Sequence, residues 1–159
     1  MIYGANDGIV TTFAVVAGVA GAALDPAIVI VLGAANLFAD GFSMGMSNYL
    51  SRQSEEAYRE TRRDAAPDHD GKSSARTAAV TFLAFVVAGW APLLPYIFQM
   101  PPLFPVSVAV TGVTFFAVGA SRSLVTERGW HVNGAEMFLV GMLAASVAFA
   151  VGRLLEGLA

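Results

Sequence analysis

Asn36, Asp40 and Met44 stand four residues apart within the stretch Asn36-Leu-Phe-Ala-Asp40-Gly-Phe-Ser-Met44-Gly-Met46. On a helix that spacing puts a carboxamide, a carboxylate and a thioether on one face. Carboxylate and carboxamide oxygens suit hard divalent ions, and a thioether adds a softer ligand. The mixture fits Fe²⁺, Co²⁺ or Mn²⁺ better than Ca²⁺ or Mg²⁺. Gly33, Gly41 and Gly45 lie on the adjoining face, where another helix can approach closely. The stretch sits inside an apolar run from Pro26 to Leu50. An ionisable residue at mid-membrane depth is expensive and by default marks an ion or proton path. A dry site favours the neutral acid until a cation arrives, and binding metal then displaces the proton. The plainer readings are a buried Asp40 hydrogen-bonded to a neighbouring helix, Met44 and Met46 as core filler, and Asn36 as interhelical glue.

The surrounding composition requires a membrane. The chain has 159 residues, is 56% hydrophobic and only 13% charged, against about 25% charged in an ordinary soluble domain. Residues 8–24, 26–39, 41–51, 77–121 and 137–152 carry no charge at all. At roughly 20 residues per span, these runs allow five transmembrane helices and leave no room for a separate soluble catalytic domain. The expected fold is therefore an all-α integral membrane protein forming a single membrane domain. No basic segment precedes the first run, so it does not read as a signal peptide. There is no cysteine, hence no disulfide or thiolate metal site. The net charge of −3 gives no reason to expect a nucleic-acid partner.

Taken in order, the first helix has two possible starts. With Asp7 as N-cap it spans residues 8–24, about 26 Å, short for a hydrocarbon core of about 30 Å. Starting near Ile2 it reaches about 35 Å and carries Asp7 inside the membrane, which length favours. Its small residues Ala14, Ala17, Gly18 and Gly21 suit tight packing against a neighbour. Asp25-Pro26 is a stop and start, with aspartate as N-cap and proline at the first helical position. The second helix covers 26–50 and extends out of the membrane to about residue 64, supported by the i,i+4 pair Glu55–Arg59. The third covers 76–98, distorted near Pro92 and Pro95, and the fourth 104–123. The fifth covers 134–156, with Asn133-Gly-Ala-Glu136 as a variant capping box.

Arg52, Arg59, Arg62, Arg63, Lys72, Arg76, Arg122 and Arg128 all fall in the 2–3 and 4–5 connections. The positive-inside rule makes those connections, and with them the N-terminus, cytoplasmic. One five-helix protomer is too thin to enclose an ion path, so a homodimer is expected, with the small-residue face of the first helix as its seam. Glu55, Glu56 and Glu60 could attract cations at the cytoplasmic surface, although a solvated face is the plainer reading. Asp68-His69-Asp70 and the pair Glu127/His131, i,i+4 on a possible short helix, have ligand chemistry but read as a turn and an exposed pair. Glu136 reads as a cap rather than a ligand.

Tyr3-Gly-Ala-Asn-Asp7-Gly-Ile-Val-Thr-Thr-Phe-Ala-Val-Val-Ala-Gly18 and Ala35-Asn36-Leu-Phe-Ala-Asp40-Gly-Phe-Ser-Met44-Gly, followed by Tyr49-Leu50-Ser51, resemble the vacuolar iron transporter family. Pro92-Leu-Leu-Pro95-Tyr96 and the glycine-rich fifth helix also match its pattern. The resemblance implies a five-helix homodimer that moves Fe²⁺, and often Mn²⁺, out of the cytoplasm in exchange for protons along a path at the dimer interface. It implies Asp7 and Met44 as the pathway aspartate and methionine, and Asn36 stands where some members have glutamate. Two features depart from the family. The 2–3 connection lacks the long glutamate-rich insert of the iron-storing members, leaving only Glu55, Glu56 and Glu60 in its place. Only six residues precede Asp7, fewer than is usual.

The function these residues favour is export of a divalent transition metal, Fe²⁺ or Mn²⁺, against protons, with no permanently bound cofactor. The partners expected are a second copy, the lipid bilayer, metal ions and protons. The membrane is a bacterial-type plasma membrane or that of an organelle. The alternatives are a non-transporting anchor or metal-sensing module, and a passive metal or proton channel. No nucleophile–base pair or cofactor motif suggests an enzyme.

Overall fold

The computed structural model describes residues 2–62 and 73–157. Five helical segments are long and apolar enough to cross a membrane, and no strand occurs among the described residues. The first, α1 (Ile2–Gly21), is 20 residues long, about 30 Å, which matches the hydrocarbon core. It starts before Asp7, so Asp7 lies within the helix rather than capping it. It ends at Gly21, three residues earlier than expected, where Ala23 turns into the left-handed region at φ 53°. The next helix, α2 (Pro26–Arg62), runs unbroken for 37 residues and so continues well beyond one span. Asp25 starts it as expected, its Oδ1 accepting from the Ala27 N–H at 2.7 Å.

The third span is made in pieces: α3 (Ser74–Gly89), a 3₁₀ turn over Ala91–Leu93, and the short α4 (Leu94–Ile97). The break falls at Pro92 and Pro95, which lack the N–H that a continuous helix needs. Ser107 Oγ, itself buried, donates to the Pro92 carbonyl at 2.7 Å and ties the break to the next helix. That helix is α5 (Leu103–Ser121), continued by a 3₁₀ turn over Arg122–Leu124. The last is α6 (Trp130–Leu155).

The start of α6 differs from the capping-box reading. Gly129 stands at the N-cap position, and its carbonyl accepts from the Val132 and Asn133 N–H groups. Asn133 lies a turn inside the helix, 1% exposed, and its Nδ2 donates to Thr126 Oγ1 at 2.9 Å. Trp130 packs edge-on to Phe116 with ring centres 5.9 Å apart, an aromatic contact that holds the early turn in place. Glu127 is left in the connection and His131 in α6, so the two share no helix.

Helix α1 is the hub, touching α2, α3, α5 and α6, while α2 pairs with α3 and α5 with α6. Ile9, Phe13, Val16, Leu37, Phe85, Leu93 and Phe115 form its fully buried surroundings. Phe13 and Phe115 meet edge to face at 6.4 Å. Large side chains such as Val87, Val113, Leu139 and Leu143 point outward, as expected where the solvent is acyl chain rather than water.

Candidate metal and proton pathway

Close helix contacts bring the polar residues to one level. A Cβ on Gly8 would collide with the Phe85 backbone, and one on Gly41 would lie 3.2 Å from the Phe85 ring. Both α1 and α2 are therefore registered against the same residue of α3. Asp7 precedes Gly8 and Asp40 precedes Gly41, so the two carboxylates sit at matching depth.

On α2 the split of faces follows the sequence spacing. Gly33, Leu37, Gly41 and Gly45 are buried. Leu93, Phe82, Val86 and the Ala78 carbonyl press against the three glycines. Asn36, Asp40 and Met44 form a half-buried stripe along the edge of that face. Asn36 Nδ2 is enclosed and has no hydrogen-bond partner among the described residues. Asn48 continues the stripe one turn further, its Nδ2 donating to the Met44 carbonyl at 3.3 Å. The same four-residue spacing would have found it. On α1, Thr11 stands one turn beyond Asp7 and donates to the Asp7 carbonyl at 2.9 Å.

The described residues contain no group of three or more His, Cys, Asp or Glu side chains able to hold a metal ion. Along α1 and α2 the half-buried donors are two carboxylates, a carboxamide and a thioether, with Asn36 and Met44 about 12 Å apart along the α2 axis.

Other candidates fall elsewhere. Glu55 is engaged by Arg59 at 2.7 Å, both exposed, and Glu56 Oε1 accepts from Ser74 Oγ at 3.4 Å. The Glu60 side chain lies outside the described residues, as do Asp68, His69 and Asp70. The small-residue face of α1 is largely used in packing within the chain. Ala17 is buried, a Cβ on Gly21 would strike the Phe149 backbone, and one on Gly152 would strike the Gly18 carbonyl. What α1 leaves open is Tyr3, 86% exposed, with Asp7, Val10, Thr11, Ala14 and Gly18 half-exposed along the same side.

Comparison with known proteins agrees with this architecture. The chain is 27% identical to the vacuolar iron transporter of Plasmodium berghei over 221 aligned positions, covering 98% of this chain and 81% of that protein. It is 24% identical to vacuolar iron transporter 1 of Arabidopsis thaliana, covering 98% and 85%. A shorter stretch of 51 residues is 51% identical to the vacuolar iron transporter of Plasmodium falciparum, 32% of this chain and 19% of that one. The alignment to the P. berghei protein is longer than this chain, so that relative carries residues this one lacks. The sequence model of the VIT family matches residues 1–69 and 57–153, two segments that meet at the α2–α3 connection. Five membrane-spanning helices and a match along almost the full length place this multi-pass membrane protein in the VIT family.

Proposed function

We propose that this protein is a metal transporter that moves Fe²⁺ or Mn²⁺ out of the cytoplasm in exchange for protons, working as a homodimer. One observation carries the reading: Asp7 and Asp40, on different helices, lie at one depth on a half-exposed face within their spans. Carboxylates cannot face acyl chains without large cost. A second copy laid over α1 and the edge of α2 would cover them and supply the missing wall of a path. Ionised, the two carboxylates repel each other, and either a proton or a divalent cation relieves that repulsion. Proton and metal therefore compete for the same oxygens, which is what an exchanger requires. The basic connections after the second and fourth spans support a cytoplasmic N-terminus, which sets the face that inverted vesicles expose. The relatives' names favour iron as the cargo and an organelle membrane as the location.

The test is flux in sealed, inverted vesicles containing purified protein and an internal pH-sensitive dye, across a panel of Fe²⁺, Mn²⁺, Co²⁺ and Zn²⁺. Metal uptake should require an inward-acid gradient and should alkalinise the lumen. Uptake indifferent to the gradient would identify a channel, and none at all would identify an anchor or sensor.

A further inference from the structure

The connection between α5 and α6 presents apolar and basic side chains together. Leu124 and Val125 are 87% and 81% exposed, and Trp130 opens α6 with its indole exposed. Arg122 and Arg128 flank the two aliphatic residues. Aromatic and aliphatic side chains beside arginines suit the level where lipid headgroups meet acyl chains. Next to this connection a cleft of about 210 Å³ opens between the start of α1 and α6, lined by Tyr3, Asn6, Arg122, Glu136, Met137 and Val140. Its lining changes with depth. Arg122 lies just beyond the last residue of α5 and Tyr3 in the first turn of α1, whereas Val140 is a full turn further into the membrane than Glu136. A charged mouth above an apolar floor fits an amphiphile.

The charge at the mouth sets the sign of the ligand. Arg122 and Arg128 each approach Glu136 Oε2 at 3.8 Å, with all three side chains partly exposed. Both contacts are too long for hydrogen bonds, and pairs this exposed contribute little stability. Glu127 pairs with neither arginine among the described residues. Two guanidiniums around one carboxylate leave one positive charge. Each guanidinium carries five N–H donors in a fork that matches the oxygens of a phosphate.

We propose that this cleft binds an anionic phospholipid with one net negative charge, its phosphate on Arg122 and Arg128 and the start of an acyl chain against Met137 and Val140. Glu136 competes with the phosphate for both guanidiniums, which keeps the lipid exchangeable. A lipid of zero net charge leaves the positive charge at the mouth uncompensated. The site stands independently of the transport reading.

The test is native mass spectrometry of the full chain in detergent, titrated with phosphatidylglycerol, phosphatidylethanolamine or phosphatidylcholine, and with glycerol 3-phosphate as a soluble competitor. Phosphatidylglycerol should bind most tightly, and added salt should weaken it. Arg122→Gln and Arg128→Gln should each weaken it about fivefold, as expected from about 1 kcal/mol per basic residue at a lipid surface. Arg122→Lys should lose less, and Glu136→Gln should tighten binding, because a competing charge is gone. If Glu136 and the arginines form only a structural latch, Glu136→Gln weakens binding along with the arginine variants, and that result overturns the proposal. Equal binding of phosphatidylcholine also overturns it, as does equal binding of phosphatidylethanolamine, whose ammonium would answer Glu136. Displacement by glycerol 3-phosphate at the potency of the lipid would assign the cleft to a soluble phosphate instead. If the Gln variants do not fold, the headgroup preference and salt dependence of the wild type decide the matter.

Discussion

At the scale of single residues, Asp7 and Met44 make different chemical demands. Asp7→Asn keeps the size and a carbonyl oxygen but removes both the charge and the exchangeable proton. The expected result is folded protein with no proton-coupled metal flux, read as metal uptake and luminal pH in inverted vesicles. Wild-type rates of both would show that the coupling lies elsewhere. Met44→Leu keeps the volume and loses only the sulfur. It should slow Fe²⁺ and Co²⁺ more than Mn²⁺, since the thioether favours the softer ions, and equal slowing of all three in the same assay would remove Met44 from the ligand set. Asn36, Asp40 and Met44 were legible because a four-residue spacing needs nothing but a helix. The matching depth of Asp7 and Asp40 was not, because it is set by the contacts of Gly8 and Gly41 with Phe85 on a third helix.

At the scale of elements, glycine contacts decide how close the helices come. Gly8 faces the Phe85 backbone, which cannot move aside as a flexible side chain can. Gly8→Leu should therefore cost about 1–3 kcal/mol or more from overpacking, seen as a lower midpoint of thermal unfolding followed by size-exclusion chromatography. The α2 extension makes a contrasting case. Glu55 is balanced by Arg59, and Glu56 is bonded to Ser74. Replacing Glu55, Glu56 and Glu60 together with Gln should change apparent metal affinity modestly and leave maximal flux near wild type. Complete loss of flux in folded protein would make them ligands. The spans themselves were readable from charge-free runs, since the bilayer fixes their length. The start of α6 was misread because Asn133-Gly-Ala-Glu136 has capping-box chemistry, while Trp130 on Phe116 and the Gly129 carbonyl begin the helix a turn earlier. Local side-chain propensity lost to an aromatic contact with α5 that no local pattern encodes.

At the scale of the whole molecule, the proposed homodimer needs a surface for its second copy. Small residues alone pointed to Ala14, Ala17, Gly18 and Gly21, but α6 already occupies much of that face. The open side of α1 runs through Tyr3, Asp7, Val10 and Ala14. The chain has no cysteine, so single cysteines can be introduced without background. Cross-linking in lipid should give dimers from positions 3, 10 and 14 and none from the buried positions 9 and 16. A uniformly monomeric yet active protein would remove the need for a second wall.

The length of α2 has a mechanical consequence. Its 37 residues amount to about 55 Å of continuous helix, of which the hydrocarbon core accounts for about 30 Å. The part beyond the membrane is thus the projecting section of a stiff shaft whose other section carries Asn36, Asp40 and Met44. With no hinge between them, a twist applied near Arg59 turns the donor stripe by the same angle. Anything that grips the projecting end, such as an antibody fragment or a surface to which it is tethered, brakes the polar stripe from outside the bilayer without touching it.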